Sequence, residues 1–589
     1  MLRRKMDFSA KLISTLLGIA ALILPGCAAT RTYANRPMDE DLTSVSRANF
    51  PDFCKKQKDE ECDNDTAFVG LAISGGGSRA ANYAAAVMSE LDQMGVLQHV
   101  DAISSVSGGS LAAAYYATRS GSPLRENNKT LFWQTAKHDL SIEFRTAFVA
   151  RYLRPDNFAK STFGSLGRTE LMAQVFDKYI FGGERYGDLG AVGPALLINA
   201  TAINDLHGIP DTTRCANRRT YAQSIRWESI SFTEDFFKNC LFSDISTYPI
   251  SNAVAASAAF PGVFSSVALA RFGLDDKIDK IAPQEYLHVI DGGPSDNLGI
   301  DGILSRWAIS SRAPGKVRKE QCLIIVIDAF ASGDIDLKNL VQDPRSMTDR
   351  FVDSNFFDSI DSMLNRRRLD TLLRLGIRPS LADIDQSVRV DDFPIEGNNF
   401  SFSGNNTTVN EVSPLDILGI DALSLPTSVK EILGMNDPVP KCMTWYIGID
   451  SLKQLVAPDW EFLHEPNVPY DLDRDDEEYQ SVIKAFFATD EAMNRVALWD
   501  VASRIRTDFD LVGPKKCTSK LLSDVLWAAG IYSVDADVES REKICAWLNK
   551  VGKPVSERCA KSVTEKIPVF PIKYVKHENS GYSVECERN

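Results

Sequence analysis

Three short stretches of the chain hold residues suited to acyl-transfer chemistry. The first is Asp101-Ala102-Ile103-Ser104-Ser105-Val106-Ser107-Gly108-Gly109-Ser110-Leu111. A β-prone run meets a turn of small residues, and an Ala-rich helical run follows from Leu111 to Thr118. Strand, sharp turn and helix together lift one side chain to an apex, the geometry of a nucleophile elbow, and Ser107 stands there. The turn crowds the residues two before and two after the serine, so both must be small. Ser105 and Gly109 meet that requirement, giving S-x-S-x-G in place of the usual G-x-S-x-G. The pattern by itself also fits an ordinary strand-to-helix connection.

The second stretch is Ser74-Gly75-Gly76-Gly77-Ser78-Arg79, between an apolar run and a helical one. As a phosphate cradle it lacks both G-x-G-x-x-G and G-K-[ST]. As an oxyanion hole it makes sense. Three glycines let backbone N–H groups converge on a developing alkoxide, and the helix N-terminus adds a favourable dipole. The third stretch is Asp291-Gly292-Gly293, which ends the apolar strand Tyr286 to Ile290. Its carboxylate belongs at the strand's C-terminal edge, where ligands of open α/β sheets gather. A carboxylate with a raised pKa in a poorly solvated site can take a serine proton directly.

Together these stretches resemble, in order, the three motifs of the patatin-like phospholipases. Asn252 to Gly262 is similar to that family's Ala/Ser-rich helix and Phe-Pro turn, and Pro294 to Gly299 resembles its continuation after the aspartate. The resemblance covers roughly residues 66–330, with Ser105 departing from the family's glycine. It implies a Ser–Asp dyad without histidine. Ser107 would attack an ester carbonyl, Asp291 would take its proton, and an acyl-enzyme would form and be hydrolysed. The Gly75, Gly76 and Gly77 loop and Gly108 would hold the oxyanion, with Arg79 bracing the loop. No metal or other cofactor is required.

The elements that must position these residues read as α/β. A buried strand at Ala67–Ile73 runs into the glycine loop, a helix follows from about Ala80 to Met94, and the elbow comes next. Further strands are expected at Pro194–Thr201, Tyr286–Ile290 and Cys322–Ile327, and an Ala-rich helix at Ser251–Ala259. The expected architecture is a layered sheet covered by helices, with a mainly helical C-terminal extension. Its units are a signal peptide at 1–26, a tether at 27–65, a catalytic domain at 66–330, an extension packing on the core at 331–455, and a C-terminal region at 456–589. Within the last two, Met443–Ile449 reads as a strand, and 476–508 and 519–550 as helical.

The N-terminus suggests a location. Arg3, Arg4, Lys5 and Lys11 precede the apolar run Leu12 to Leu24, which is too short to span a bilayer comfortably. It ends in Leu24-Pro25-Gly26-Cys27-Ala28, similar to the lipobox of bacterial lipoproteins, so Cys27 is the expected lipidation site. The chain would then be lipid-anchored in a bacterial cell envelope, facing the periplasm or an outer surface. A net charge of −14 over 589 residues argues against non-specific nucleic-acid binding and against a polybasic grip on anionic lipid, so any membrane contact should be local or covalent.

Eleven cysteines permit disulfides in such a compartment. Cys54 with Cys62, Cys215 with Cys240, and the group Cys517, Cys545, Cys559 and Cys586 are candidates; no C-x-x-C pair suggests zinc. Asp471 to Glu478 begins like a calcium loop but has Asp476 where glycine is needed and Val482 where glutamate is needed. Arg366-Arg367-Arg368 reads as a solvated helical face. Only His464 and His577 follow Asp291, and neither sits in a motif. The reading is a serine acyl-ester hydrolase acting on phospholipid or lysophospholipid of the membrane, with no protein partner indicated. The alternative is a non-catalytic envelope lipoprotein that binds lipid or a partner.

Overall fold

The structure is a computed structural model. It describes residues 33–38, 67–189, 193–204, 228–273, 283–310, 321–331, 364–369, 371, 372, 375, 409–412, 442–456, 490–561, 567–577 and 581–587. Cys27, the 1–26 segment, His464 and the acidic run Asp471 to Glu478 lie outside the described residues.

Nine strands form one sheet: β1 (Ala67–Ile73), β2 (Ala102–Val106), β3 (Ala195–Ala202), β4 (Glu228–Phe232), β5 (Val267–Phe272), β6 (Pro283–Ile290), β7 (Gln321–Asp328), β8 (Val409–Val412) and β9 (Cys442–Gly448). Their order is β8-β9-β7-β1-β2-β3-β6-β5, with β4 also on β3. The central strands β9, β7, β1, β2 and β3 are parallel, whereas β8, β4, β6 and β5 join antiparallel. The expected α/β layering holds, with a mixed sheet. The parallel centre is legible in composition: every residue of β1 (AFVGLAI) is buried, as it must be in a strand covered on both faces. The antiparallel strands β4 (ESISF) and β5 (VALARF) were not foreseen: β4 has only two apolar residues, and the short apolar run of β5 is broken by Arg271.

Helix α1 (Gly77–Gln93) follows the glycine loop and α2 (Gly109–Arg119) follows the elbow. Next come α3 (Lys129–Leu140), α4 (Phe144–Tyr152), α5 (Pro155–Phe163), α6 (Arg168–Phe176), α7 (Ile250–Ser257) and α8 (Ile300–Ser310). The C-terminal region contributes α9 (Ile449–Val456), α10 (Asp490–Ser503), α11 (Ser519–Asp535) and α12 (Val538–Lys550). A hairpin, β10 (Ile572–His577) with β11 (Gly581–Cys586), closes the chain.

Helix α1 is buried almost all round, because the sheet covers one side and α11 the other. Small residues permit that approach. A Cβ at Gly530 of α11 would lie 2.7 Å from the Ala86 Cβ and 2.9 Å from the Tyr83 carbonyl. Polar groups at the crossing are matched. Tyr83 donates to Ser533 Oγ at 2.9 Å, and Asn82 Oδ1 accepts from Ser523 and from Trp527 Nε1. Leu522, Val525 and Leu526 of α11 are fully buried in the same core as β1 and α2, each contributing about 1.5–3 kcal/mol. The C-terminal helices therefore build the core beside the glycine loop. On the other face, α8 packs so closely that a Cβ at Gly70 would meet Ile303 at 2.5 Å.

Three disulfides lie among the described residues. Cys517–Cys586 and Cys545–Cys559 pair the C-terminal group. Cys322–Cys442 ties the parallel neighbours β7 and β9, a pairing across 120 residues that proximity in sequence could not suggest. Cys240 is also disulfide-bonded.

Candidate active site

Ser107 sits between the end of β2 and the start of α2, in the left-handed region with φ of 50°. A non-glycine residue holds that conformation only when its surroundings impose it. Here the Ser107 N–H donates to Ser257 Oγ at 2.8 Å, from the last residue of α7. The neighbours must be glycine for space: a Cβ at Gly108 would lie 2.0 Å from the Gly77 carbonyl, and one at Gly109 would lie 2.4 Å from the Ser74 carbonyl. The elbow and the glycine loop thus touch backbone to backbone. Ser105, the departure from glycine, is tolerated because its hydroxyl turns to the Leu197 carbonyl of β3 at 3.4 Å.

Asp291 follows β6 and is 4% exposed. Its N–H donates to the Ala259 carbonyl at 3.0 Å, and that of Gly292 donates to the Ser257 carbonyl at 3.2 Å. Ser257 therefore holds both loops, one through its hydroxyl and one through its carbonyl. The Asp291 carboxylate accepts from the Gly293 N–H at 2.8 Å, and the Ser107 hydroxyl lies beside it. Burial pushes its pKa up to about 6, against the pull of these two donors. Among the described residues no histidine joins this pair, and His577 ends β10 in the C-terminal hairpin. No group of three or more His, Cys, Asp or Glu that could hold a metal occurs among the described residues.

The glycine loop divides its amides. The Gly75 N–H donates to the Asn297 carbonyl at 3.1 Å, and the Ser78 N–H donates to the Asp508 carbonyl at 2.6 Å. Among the described residues nothing accepts from the N–H groups of Gly76, Gly77 or Gly108. Gly76 and Gly77 have φ of 137° and 57°, conformations that a side chain would strain. Of the expected oxyanion set, then, three amides are available and the Gly75 amide is engaged. The Arg79 guanidinium donates to the Ile505 carbonyl at 2.7 Å and to Thr507 Oγ1 at 3.2 Å, so it reaches the loop through the C-terminal segment.

That segment, residues 504–510, was missed in the sequence, as were Asn297 and Arg368 in their present roles. A Cβ at Gly77 would lie 2.2 Å from the Asp508 carbonyl, which is how closely the segment presses on the loop. Arg368 is not on a solvated face. It is 2% exposed and donates to Asp328 at 2.5 Å, while Arg367 donates to the Ser295 carbonyl at 2.9 Å beside the Asp291 loop. No local pattern marks these contacts. Ser257 did leave a signal: it is a lone hydroxyl in the run Ala255-Ala256-Ser257-Ala258-Ala259, a polar group that must find a partner once buried.

Among solved structures, human GIVD cytosolic phospholipase A2 is similar at 13% identity and a TM-score of 0.39, covering 83% of this chain and 60% of that one. VipD from Legionella pneumophila is similar at 12% identity and a TM-score of 0.19, covering 84% of this chain and 89% of that one. This chain thus spans 60% of the length of the human protein. Comparison with curated protein sequences gives no match. Residues 71–304, which carry the elbow, the glycine loop and Asp291, match the family model described as patatin-like phospholipase.

Proposed function

We propose that this protein is a lipid acyl-ester hydrolase working through Ser107 and Asp291, with phospholipid or lysophospholipid as substrate. The observation that carries the reading is that the Ser107 hydroxyl lies beside a buried carboxylate, Asp291, whose pKa burial raises to about 6. A base must be ionised at working pH yet basic enough to accept a proton, and a carboxylate raised toward neutrality meets both needs. Ser107 Oγ bonds to the ester carbonyl carbon as its proton passes to Asp291. The negative charge formed on the carbonyl oxygen is held by the amides of Gly76, Gly77 and Gly108, which need not break other bonds to serve. Collapse breaks the bond to the alcohol, which leaves with the proton from Asp291. Water then gives a proton to Asp291 as it attacks the acyl-enzyme carbonyl. Collapse breaks the bond to Ser107 Oγ, which takes that proton back from Asp291 as the fatty acid leaves.

An N-terminal lipid on Cys27 would hold the site beside membrane lipid in a bacterial cell envelope. The disulfides support an oxidising location. The test is acyl release from mixed phospholipid vesicles, with labelling by a fluorophosphonate, for the wild type, Ser107→Ala and Asp291→Asn. Activity and labelling in the wild type alone support the dyad, and the products name the substrate class. A folded wild type that neither labels nor releases acyl chains overturns it and favours a lipid- or partner-binding role.

A further inference from the structure

We infer that α4, α5 and the turn at Val263 form a docking surface for an anionic lipid bilayer, continuous with the active site through a file of aromatic rings. The inference rests on the reading above that the substrate is a membrane lipid.

The surface is apolar where solvent meets it. Leu153 is 65% exposed, Val149 and Phe158 are each 45% exposed, and Val263 is 42% exposed. Val149 and Leu153 are four residues apart along α4 and its C-cap, hence on one face. Phe158 follows on α5 after the break at Arg154-Pro155 and packs edge-on to Tyr152 at 5.9 Å. Exposed leucine and phenylalanine on short surface helices lose contact with water only if something covers them.

Charge says what the cover is. The whole chain has 65 basic and 79 acidic residues, yet between positions 144 and 169 there are five cations and one acid, Asp156. Arg145 pairs with Asp508 and Asp510, and Arg151 with Gln174. Arg154, Lys160 and Arg168 are exposed and form no ion pair among the described residues. A basic rim around exposed apolar side chains, within an acidic protein, complements an anionic membrane and repels little of it locally.

The rings continue inward. Tyr152 stacks on Phe148 at 6.0 Å, Phe148 meets Phe264 at 5.6 Å, and Phe264 meets Phe509 at 6.3 Å. The next residue, Asp508, places its carbonyl against the glycine loop. Aromatic contacts therefore run from the exposed Phe158 to Phe509, which adjoins the segment packed on the glycine loop, so the surface and the site share one packed wall.

The test is hydrogen–deuterium exchange over residues 144–163 of the full chain carrying Ser107→Ala, which stops turnover. Exchange is followed alone, with phosphatidylcholine vesicles, and with phosphatidylcholine–phosphatidylglycerol vesicles. An N-terminal anchor would tether the chain to both vesicle types, so it produces no difference between them at these residues. Several-fold slower exchange on the anionic vesicles only is expected. It should be lost in Leu153→Asp/Phe158→Asp and kept in Val569→Asp, which changes an exposed valine outside the patch. Equal exchange on both vesicles, or protection unchanged in the double variant, overturns the inference. Because no turnover is measured, failure of the hydrolase reading leaves this result untouched, and the reverse also holds.

Discussion

Ser257 accepts the backbone N–H of Ser107 at 2.8 Å and, through its own carbonyl, the N–H of Gly292 at 3.2 Å. One residue at the end of α7 therefore fixes the distance between the elbow and the aspartate loop. Ser257→Ala removes the first contact and leaves a buried N–H without its acceptor at a strained position, at a cost of about 1–3 kcal/mol. We expect a lower melting temperature and roughly tenfold lower kcat, with KM on a soluble ester little changed. Equal kcat would remove Ser257 from any positioning role.

The pH response follows from Asp291. The carboxylate must be ionised to act as base, so kcat/KM should rise with pH through about 6 and level off above it. Stability runs the other way. Between its ordinary value of 3.8 and about 6, the folded chain keeps a proton that the unfolded chain has released, so stability falls as pH rises across that window. The loss from this group is on the order of 3 kcal/mol. Asp291→Asn should therefore be inactive, yet melt higher than wild type near neutral pH. A variant that melts lower there would contradict the assigned burial cost.

Gly108 stands where the elbow meets the glycine loop. In Gly108→Ala the new Cβ would lie 2.0 Å from the Gly77 carbonyl, so the two backbones must part. With the Gly77 and Gly108 amides no longer convergent, activity should fall by about 10²–10³ while the fold persists. Circular dichroism and ester hydrolysis, read together, check both halves.

Arg368 is bonded to Asp328 at 2.5 Å and to Asp450 at 3.0 Å, and Tyr446 also donates to Asp328 at 3.0 Å. Arg368→Met strands the Asp328 carboxylate, which is fully buried, and should cost about 3–5 kcal/mol in urea unfolding. Arg368→Met/Asp328→Asn, which removes the stranded charge as well, should recover most of that loss. Failure of the double variant to recover would place the cost in packing.

Much of this protein was legible before any coordinates. The parallel centre of the sheet, the elbow at Ser107, the glycine loop and Asp291 all rest on local chemistry. A strand buried on both faces must be apolar throughout, and a turn pressed against another backbone must be glycine. Such demands fall on neighbouring residues, so they appear as motifs.

Only the tertiary structure decided which amides of the loop remain available, where Arg79 and Arg368 go, and how the C-terminal segment enters. These contacts join positions far apart in the chain: Ser78 with Asp508, Ser107 with Ser257, Cys322 with Cys442. A backbone carbonyl accepts equally well whatever side chain it carries, so the Asp508 contact with the glycine loop has no signature in residue type. The buried position of Arg368 was hidden for a related reason. An arginine reads as solvated until the fold brings carboxylates to it, and that depends on β7 and β9 lying side by side.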